Sequence, residues 1–188
     1  MNYFEEEIYD GQDFTVSPLG IGEYECCEFK NCRFVEVNLS KIRFIDTTFI
    51  DCDWSNTKIH QTSLQDVKFK DCKLLGIHFD SCNDFGFAVS FETCILDHSV
   101  FYQMKLNRSS FHDCQLHHVD FTEADLSTST LSKCDLLNAS FDYTNLEKAD
   151  LLKAFNFSID PEKNKLKGAK FSLPEVVRLL DKYGLDIH

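Results

Sequence analysis

The stretch Phe111-HDCQLHHVDFTEADLSTSTL-131 places a large apolar residue at every fifth position: Phe111, Leu116, Phe121, Leu126 and Leu131. Two residues ahead of the last four stand smaller ones, Cys114, Val119, Ala124 and Ser129, and the positions between are mostly polar or charged. A period of five matches neither the 3.6 residues of an α-helix nor the two-residue alternation of a strand. It fits a chain that turns a corner every five residues. Four such sides close a square coil, and each side points one large and one smaller residue inward.

The spacing extends in both directions. Counting by five from Tyr24 gives Phe29, Phe34, Leu39, Phe44, Phe49, Trp54, Ile59, Leu64, Phe69, Leu74 and Phe79. The phase then slips by two residues and resumes at Phe91, running through Leu96, Phe101 and Leu106 to Leu151. The companion column of smaller residues follows it, from Cys27, Cys32 and Val37 to Thr144 and Ala149. The slip segment DSCNDFGFAVS holds Gly86, where the backbone has unusual freedom, and the extra aromatics Phe85 and Phe87. It is read as a bend or change of register between two coil stacks.

At 188 residues the chain fits one domain able to bury a sizeable core. A formal net charge of -12 argues against direct nucleic-acid binding, which needs a basic footprint. Such a surface suits solubility, a basic partner, or imitation of a polyanion. The N-terminal MNYFEEEIYDGQ lacks a cationic segment followed by an apolar run, so no secretory signal is expected. No apolar run approaches the roughly 18 residues of a membrane span. The expected setting is cytoplasmic, where thiols stay reduced.

Within the repeat, Glu123-ADLS, Lys133-CDLLNASF-141 and Asn145-LEKADL-151 resemble the A(D/N)LXX consensus of the pentapeptide-repeat proteins. The resemblance covers residues 24 to 151. It implies an all-β fold, a right-handed quadrilateral β-helix with four pentapeptides per coil, carrying here a short C-terminal capping helix. Cys32, Cys52 and Cys72, and after the slip Cys94, Cys114 and Cys134, then form one column down one inner face. A free thiol behaves as a small buried hydrophobe and suits that place. A zinc site needs ligands converging from several directions, and a disulfide needs an oxidising compartment; both stand as alternatives to the structural reading. Cys26 falls outside the column and is the candidate for an exposed, reactive thiol.

The ends need covers, because an open coil exposes backbone groups to other chains. Residues 1–23 are read as an irregular first coil, with Phe4, Tyr9, Phe14 and Leu19 in phase. Coil stacks follow at 24–79 and 91–171, joined by the slip at 80–90, with a loop at 155–163. In the tail, 172–188, Ser172 and Glu175 make a capping-box pattern before a helix, and Gly184 sits where a helix ends. Leu173, Val176, Val177, Leu180, Tyr183, Leu185 and Ile187 are the candidate interface of a homodimer.

NKLKGAKFSLPEVVRLLDKYGLDI, residues 164–187, is similar to the C-terminal segment of the quinolone-resistance (Qnr) pentapeptide-repeat proteins, and KLLGIHFDSC, residues 73–82, is similar to their middle. With no inserted loop between Phe29 and Leu151, the chain resembles the loopless type. The resemblance implies a dimeric rod, joined through its C-terminus, that imitates B-form DNA in shape and charge. Its implied partners are the type II topoisomerases DNA gyrase and topoisomerase IV, with protection from quinolones in some members. A rigid non-catalytic scaffold for an unrelated partner is the alternative; a continuous acidic ridge favours the mimic and evenly scattered charge the scaffold. His98 and His118 should stack on adjacent coils near Asp97, His117 and Asp120, as solvated histidines or as a surface metal site. No nucleophile-elbow or phosphate-loop motif is present, so neither an enzyme nor a cofactor is expected.

Overall fold

In the computed structural model, which describes residues 2–186, the chain winds into a right-handed, four-sided β-solenoid of about eight turns. The first side carries β1 (Asn2–Glu5), β3 (Gly22–Glu25), β5 (Arg43–Ile45) and β7 (Ser63–Gln65). The second side carries β2 (Ile8–Asp10), β4 (Glu28–Lys30), β6 (Thr48–Ile50), β8 (Val67–Lys70), β9 (Val89–Glu92), β10 (Ser110–His112), β11 (Thr130–Ser132), β12 (Asp150–Leu151) and β13 (Lys170–Phe171). All pairings are parallel, and within each stack the partners differ by twenty residues, as Phe29↔Phe49 and Phe111↔Leu131 do. The third and fourth sides are joined by single bridges such as Asp53↔Lys73 and Val100↔Asp120.

A five-residue side must end in a sharp corner, and the backbone shows how. From Tyr24 to Leu151 the residue two places after each large apolar one, Ser81 and Arg108 excepted, adopts a left-handed conformation, from Cys26 (φ 52°) and Asn31 (φ 53°) through Asp51 (φ 51°) and Asp71 (φ 54°) to His118 (φ 57°) and Lys148 (φ 58°). Outside glycine this conformation is uncommon, and Asn and Asp tolerate it best. Hydrogen bonds hold the corners: the Val37 N–H donates to the Phe34 carbonyl (2.9 Å) and the Thr57 N–H to that of Trp54 (3.0 Å). Aspartates standing just before the large residue brace the same turns. The Ser55 N–H donates to Asp53 Oδ1 (3.0 Å) and the Thr122 N–H to Asp120 Oδ1 (2.8 Å).

Inside, the large column stacks ring on ring at the strand spacing. On the second side Phe29, Phe49, Phe69, Phe91 and Phe111 lie 4.8, 5.1, 5.3 and 5.1 Å apart in succession. Phe79, Phe101, Phe121 and Phe141 repeat the pattern on the fourth side. Rings on neighbouring sides meet edge to face, as Phe101 and Phe111 do at 5.8 Å. The smaller column consists of side chains that fill the corners. Its hydroxyls and thiols donate to carbonyls one coil back: Thr57 Oγ1 to Phe34 O (2.7 Å), Thr144 Oγ1 to Phe121 O (2.8 Å) and Cys52 Sγ to Phe29 O (3.4 Å). Cys, Thr and Ser therefore recur there because each is small and can donate once. All nine cysteines are free.

The slip lies on one side of the square only. The second-side sheet passes it without a break, Phe69 pairing with Phe91. On the first side the last contact before it is Ser63↔Asn83, and bridging resumes at Lys105↔Asp125. The two extra residues leave the coil as a bulge in which Gly86 has φ 70°, Phe87 turns inward and Phe85 is 77% exposed. Gln65 Nε2 donates to the Phe85 carbonyl (3.3 Å).

Near the C-terminus residues 155–163 leave the five-residue phase, yet Phe157 and Ile159 are buried in the core. The following turn leads into helix α1 (Leu173–Val176), continued as a tighter 3₁₀ segment over Val177–Tyr183 that stops at left-handed Gly184. The expected capping box is not formed. The Ser172 hydroxyl instead accepts the Lys153 N–H (2.8 Å), and Glu175 pairs with Arg178 (2.7 Å), because the last coil supplies a donor nearer than the helix does. Leu179 is the tail residue packed against the core. Lys182 Nζ clamps the tail, reaching Asp160 Oδ1 (2.6 Å) and Glu162 Oε2 (2.8 Å), while the Tyr183 hydroxyl donates to Glu162 Oε1 (2.8 Å). The hydrogen bonds from Lys182 hold both carboxyls below their ordinary range.

Phe111→Ala should cost about 3 to 5 kcal/mol in denaturant melts, since the ring is fully buried and contacts its neighbours above, below and beside it; a loss below about 1 kcal/mol would contradict the packing. Asp160 and Glu162 have folded pKa values below their unfolded ones, so their contribution to tail docking is complete above about pH 4 to 5 and fades as pH falls through the lower folded values. Amide signals of 172–184 should therefore broaden or shift on acidification before those of the coils, and Lys182→Met should show the same loosening at neutral pH.

Candidate partner-binding surfaces

With the interior filled by side chains, chemistry and recognition are left to the outward positions. The most regular of these are the left-handed corners. Between the first and second sides they present Glu6, Cys26, Asp46 and Asp66; between the second and third they present Asp51 and Asp71 and, beyond Thr93, Asp113. Each carboxylate in these rows is exposed. Successive coils set them about 4.8 Å apart along the axis. The corner geometry fixes their direction, so they form two rigid ladders flanking one side of the N-terminal half.

Other acidic residues have a different role. Asp13, Asp53, Asp120, Asp125 and Asp150 each accept a backbone N–H two residues on, and thereby lock turns. For Asp13 the hydrogen bonds from Thr15 lower the carboxyl below its ordinary range. In the sequence these braces resemble free surface charge, and only their place directly before the large residue marks them. The acidic ridge is also not continuous. Lys30, Lys68 and Lys70 lie between the two ladders, and Arg108, Lys133, Lys148 and Lys153 occupy corners of the second half.

The tail residues expected at an interface lie mostly in solvent. Leu173, Val177, Leu180, Tyr183 and Leu185 are exposed and Val176 is half-buried, while Ile187 lies outside the described residues. The described ones form an apolar surface at the end of the rod opposite the open first coil.

His98 and His118 stack as expected, with ring centroids 4.9 Å apart and planes 4° from parallel. Their neighbour His117 does not join them. Its Nε2 lies 2.8 Å from Asp135 Oδ2, and its backbone N–H donates to Asp97 Oδ1 (3.1 Å), tying three consecutive coils on the third side. Asp135 also accepts from Asn156 Nδ2 (2.8 Å); these bonds outweigh its partial burial and hold its carboxyl low. The described residues contain no cluster of three or more metal-ligating side chains. Cys26 is exposed as expected. Partial desolvation and the charges of Asp46, Glu25, Glu6 and Glu5 raise its thiol pKa, which reduces the thiolate that reacts.

Among the described residues no helix is long and apolar enough to cross a membrane. The family model for the pentapeptide repeat region matches residues 23–84 and 87–171, its gap falling on the bulge. No curated protein matches the chain by sequence. Among solved structures, two trypsin-treated forms of QnrB1, a plasmid-mediated fluoroquinolone resistance protein, cover the whole chain with TM-scores of 0.68 and 0.61 at 17% and 20% identity. The chain in turn covers 100% and 92% of those structures. HetL from the cyanobacterium Nostoc, a pentapeptide repeat protein involved in heterocyst differentiation regulation, is similar over 89% of this chain and 84% of its own, with a TM-score of 0.58 at 15% identity. Likeness at these identities is a likeness of fold. The matched repeat, the coil geometry and the left-handed corners together establish that the chain belongs to the pentapeptide-repeat family.

Proposed function

We infer that this protein is a non-catalytic, DNA-mimicking binder of a type II topoisomerase, DNA gyrase or topoisomerase IV, and that it works as a homodimer joined through the tail at Leu173, Val176, Val177, Leu180, Tyr183, Leu185 and Ile187. The observation that carries the reading is the pair of carboxylate ladders at the corners of the N-terminal half. Where acidic rungs are consecutive, at Asp46 and Asp66 and at Asp51 and Asp71, the one charge per roughly 4.8 Å of rod approaches the one per about 3.4 Å that each strand of duplex DNA presents. A basic channel built for duplex DNA would meet a stiff row of anions whose spacing cannot collapse. The exposed apolar tail supplies the contact that would double the length of that row. The similarity to the fold of a fluoroquinolone resistance protein supports the same reading.

The lysines between the ladders, and the cationic corners of the second half, favour a second reading: a rigid scaffold for a partner unrelated to DNA enzymes.

The test is a supercoiling assay with gyrase from the source organism, with and without a quinolone. Inhibition should weaken as salt rises and screens the charges, and Asp51→Lys with Asp71→Lys should abolish it without altering thermal stability. Rescue of activity in the presence of drug would add protection. Absence of any effect up to tens of micromolar protein would leave the scaffold. Leu173→Asp with Leu180→Asp should remove the tail contact, and an unchanged mass by light scattering would exclude that interface.

A further inference from the structure

The first side of the solenoid differs from the others in the order of its charges. Its N-terminal half carries Glu5 and Glu6 on the first coil, Glu25 on the second, Asp46 on the third and Asp66 on the fourth. The bulge with Phe85 is the fifth level. Beyond it the same side carries Lys105 and Arg108, then Asp125, then Glu147 and Lys148, then Lys165 and Lys167. The bulge thus has four levels before it and four after it. In a chain whose net charge is -12, one side runs from acidic to basic about an exposed aromatic ring.

We propose that this side is a self-complementary interface, on which a second copy of the chain lies antiparallel with its two-fold axis at Phe85. Turning the side through a half-rotation about that ring places each level opposite its counterpart. Glu6 then faces Lys167, Glu25 faces Lys148, and Asp66 faces Lys105. The one basic residue of the acidic half, Arg43, falls opposite Asp125, the acidic residue of the basic half. Glu147, which shares its level with Lys148, also falls opposite Glu25, and Asp84 beside the ring meets its own copy; the remaining charged levels set opposite signs together. Such a contact is isologous: every pairing occurs twice. At about 4.8 Å per level, the outermost pairs lie roughly 19 Å from the axis on either side.

Phe85 has the features of an interface anchor. Its ring stands on a bulge braced by Gln65 and by the left-handed Gly86, where a Cβ would press on the Gln65 side chain at 3.3 Å, so it is held out rather than free to fold back. Within one chain Arg108 reaches Asp66 (3.3 Å), with both side chains more than half exposed. That pairing bridges the bulge and leaves both groups accessible to the second copy. The contact is separate from the tail, which lies four levels away, and it does not depend on topoisomerase binding.

The test uses Asp84→Cys, next to the axis with the Phe85 ring kept, in a Cys26→Ser background. Mild oxidation should yield a disulfide-linked dimer, because only residues on or next to the two-fold axis bring the introduced thiols within the roughly 7 Å Cα separation that a disulfide allows. A dimer joined only at the tail would hold them tens of ångströms apart, on the order of twice the 19 Å from bulge to end. Two further chains carry the decisive charge changes, one with Glu6→Lys, Glu25→Lys and Asp66→Lys, the other with Lys105→Glu, Lys148→Glu and Lys167→Glu. Each alone should lose cross-linking, and an equimolar mixture should recover it as a mixed dimer. Absence of the cross-link in the parent variant, or cross-linking indifferent to the charge changes, would overturn the proposal. Loss of the tail contact in Leu180→Asp should leave it intact.

Discussion

The structure depends on axial hydrogen bonding between coils that must also close a square. Parallel strands stacked along one axis satisfy the backbone of each coil only through its neighbours, as the repeated pairing of Ser110–His112 with Thr130–Ser132 does. Closing the square in so few residues forces the chain through the left-handed region at nearly every corner, at roughly 1 to 2 kcal/mol for most residues. Burial of one large side chain on each side returns about 1.5 to 3 kcal/mol. The inward columns and the polar, flexible character of the corners are two sides of that balance. Asn, Asp, Gln, Glu, His and Lys stand at the corners because they tolerate the conformation or can be solvated there.

This balance explains which features were legible in the sequence. The large column from Tyr24 to Leu151 declares itself, since a single polar residue there would leave an unpaired group in the core. The companion column was equally visible, and its mixed chemistry makes sense once Thr57, Thr144 and Cys52 are seen donating to the coil behind them. The corners were hidden, because left-handed geometry admits many residue types and leaves only a loose polar signature. The tail was read in its own terms as a helix with a capping box, whereas the Lys153 amide claims the Ser172 hydroxyl. Helix logic is local, and the last coil intervened from nineteen residues away. Phe157 and Ile159 escaped the count by five because the chain there fills the core without keeping the period.

Recognition surfaces were less legible for a related reason. The period constrains what points inward and says nothing of what points outward, so an Asp that braces a turn and an Asp that faces a partner look alike. Asp120 and Asp71 belong to the two classes: Asp120 stands directly before Phe121 and accepts the Thr122 N–H, whereas Asp71 sits at a left-handed corner two residues after Phe69. Once the braces are set aside, the remaining charge has an order that a net value conceals: acidic ladders along the N-terminal half and cations toward the C-terminal half.

The bulge at Phe85 has a consequence for how the rod comes apart. In a stack where each coil touches only its neighbours, stability is a sum of coil terms and contact terms, and cooperativity passes through the weakest contact. Between the fifth and sixth levels the first side contributes no bridge, so coupling there rests on the second-side sheet, the third and fourth sides and the reach of Arg108 to Asp66. The molecule is in this sense two short springs joined by a softer link. The aromatic ladders run through that link, Phe69 on Phe91 and Phe79 on Phe101, so the halves loosen by hinging at the first side rather than by parting.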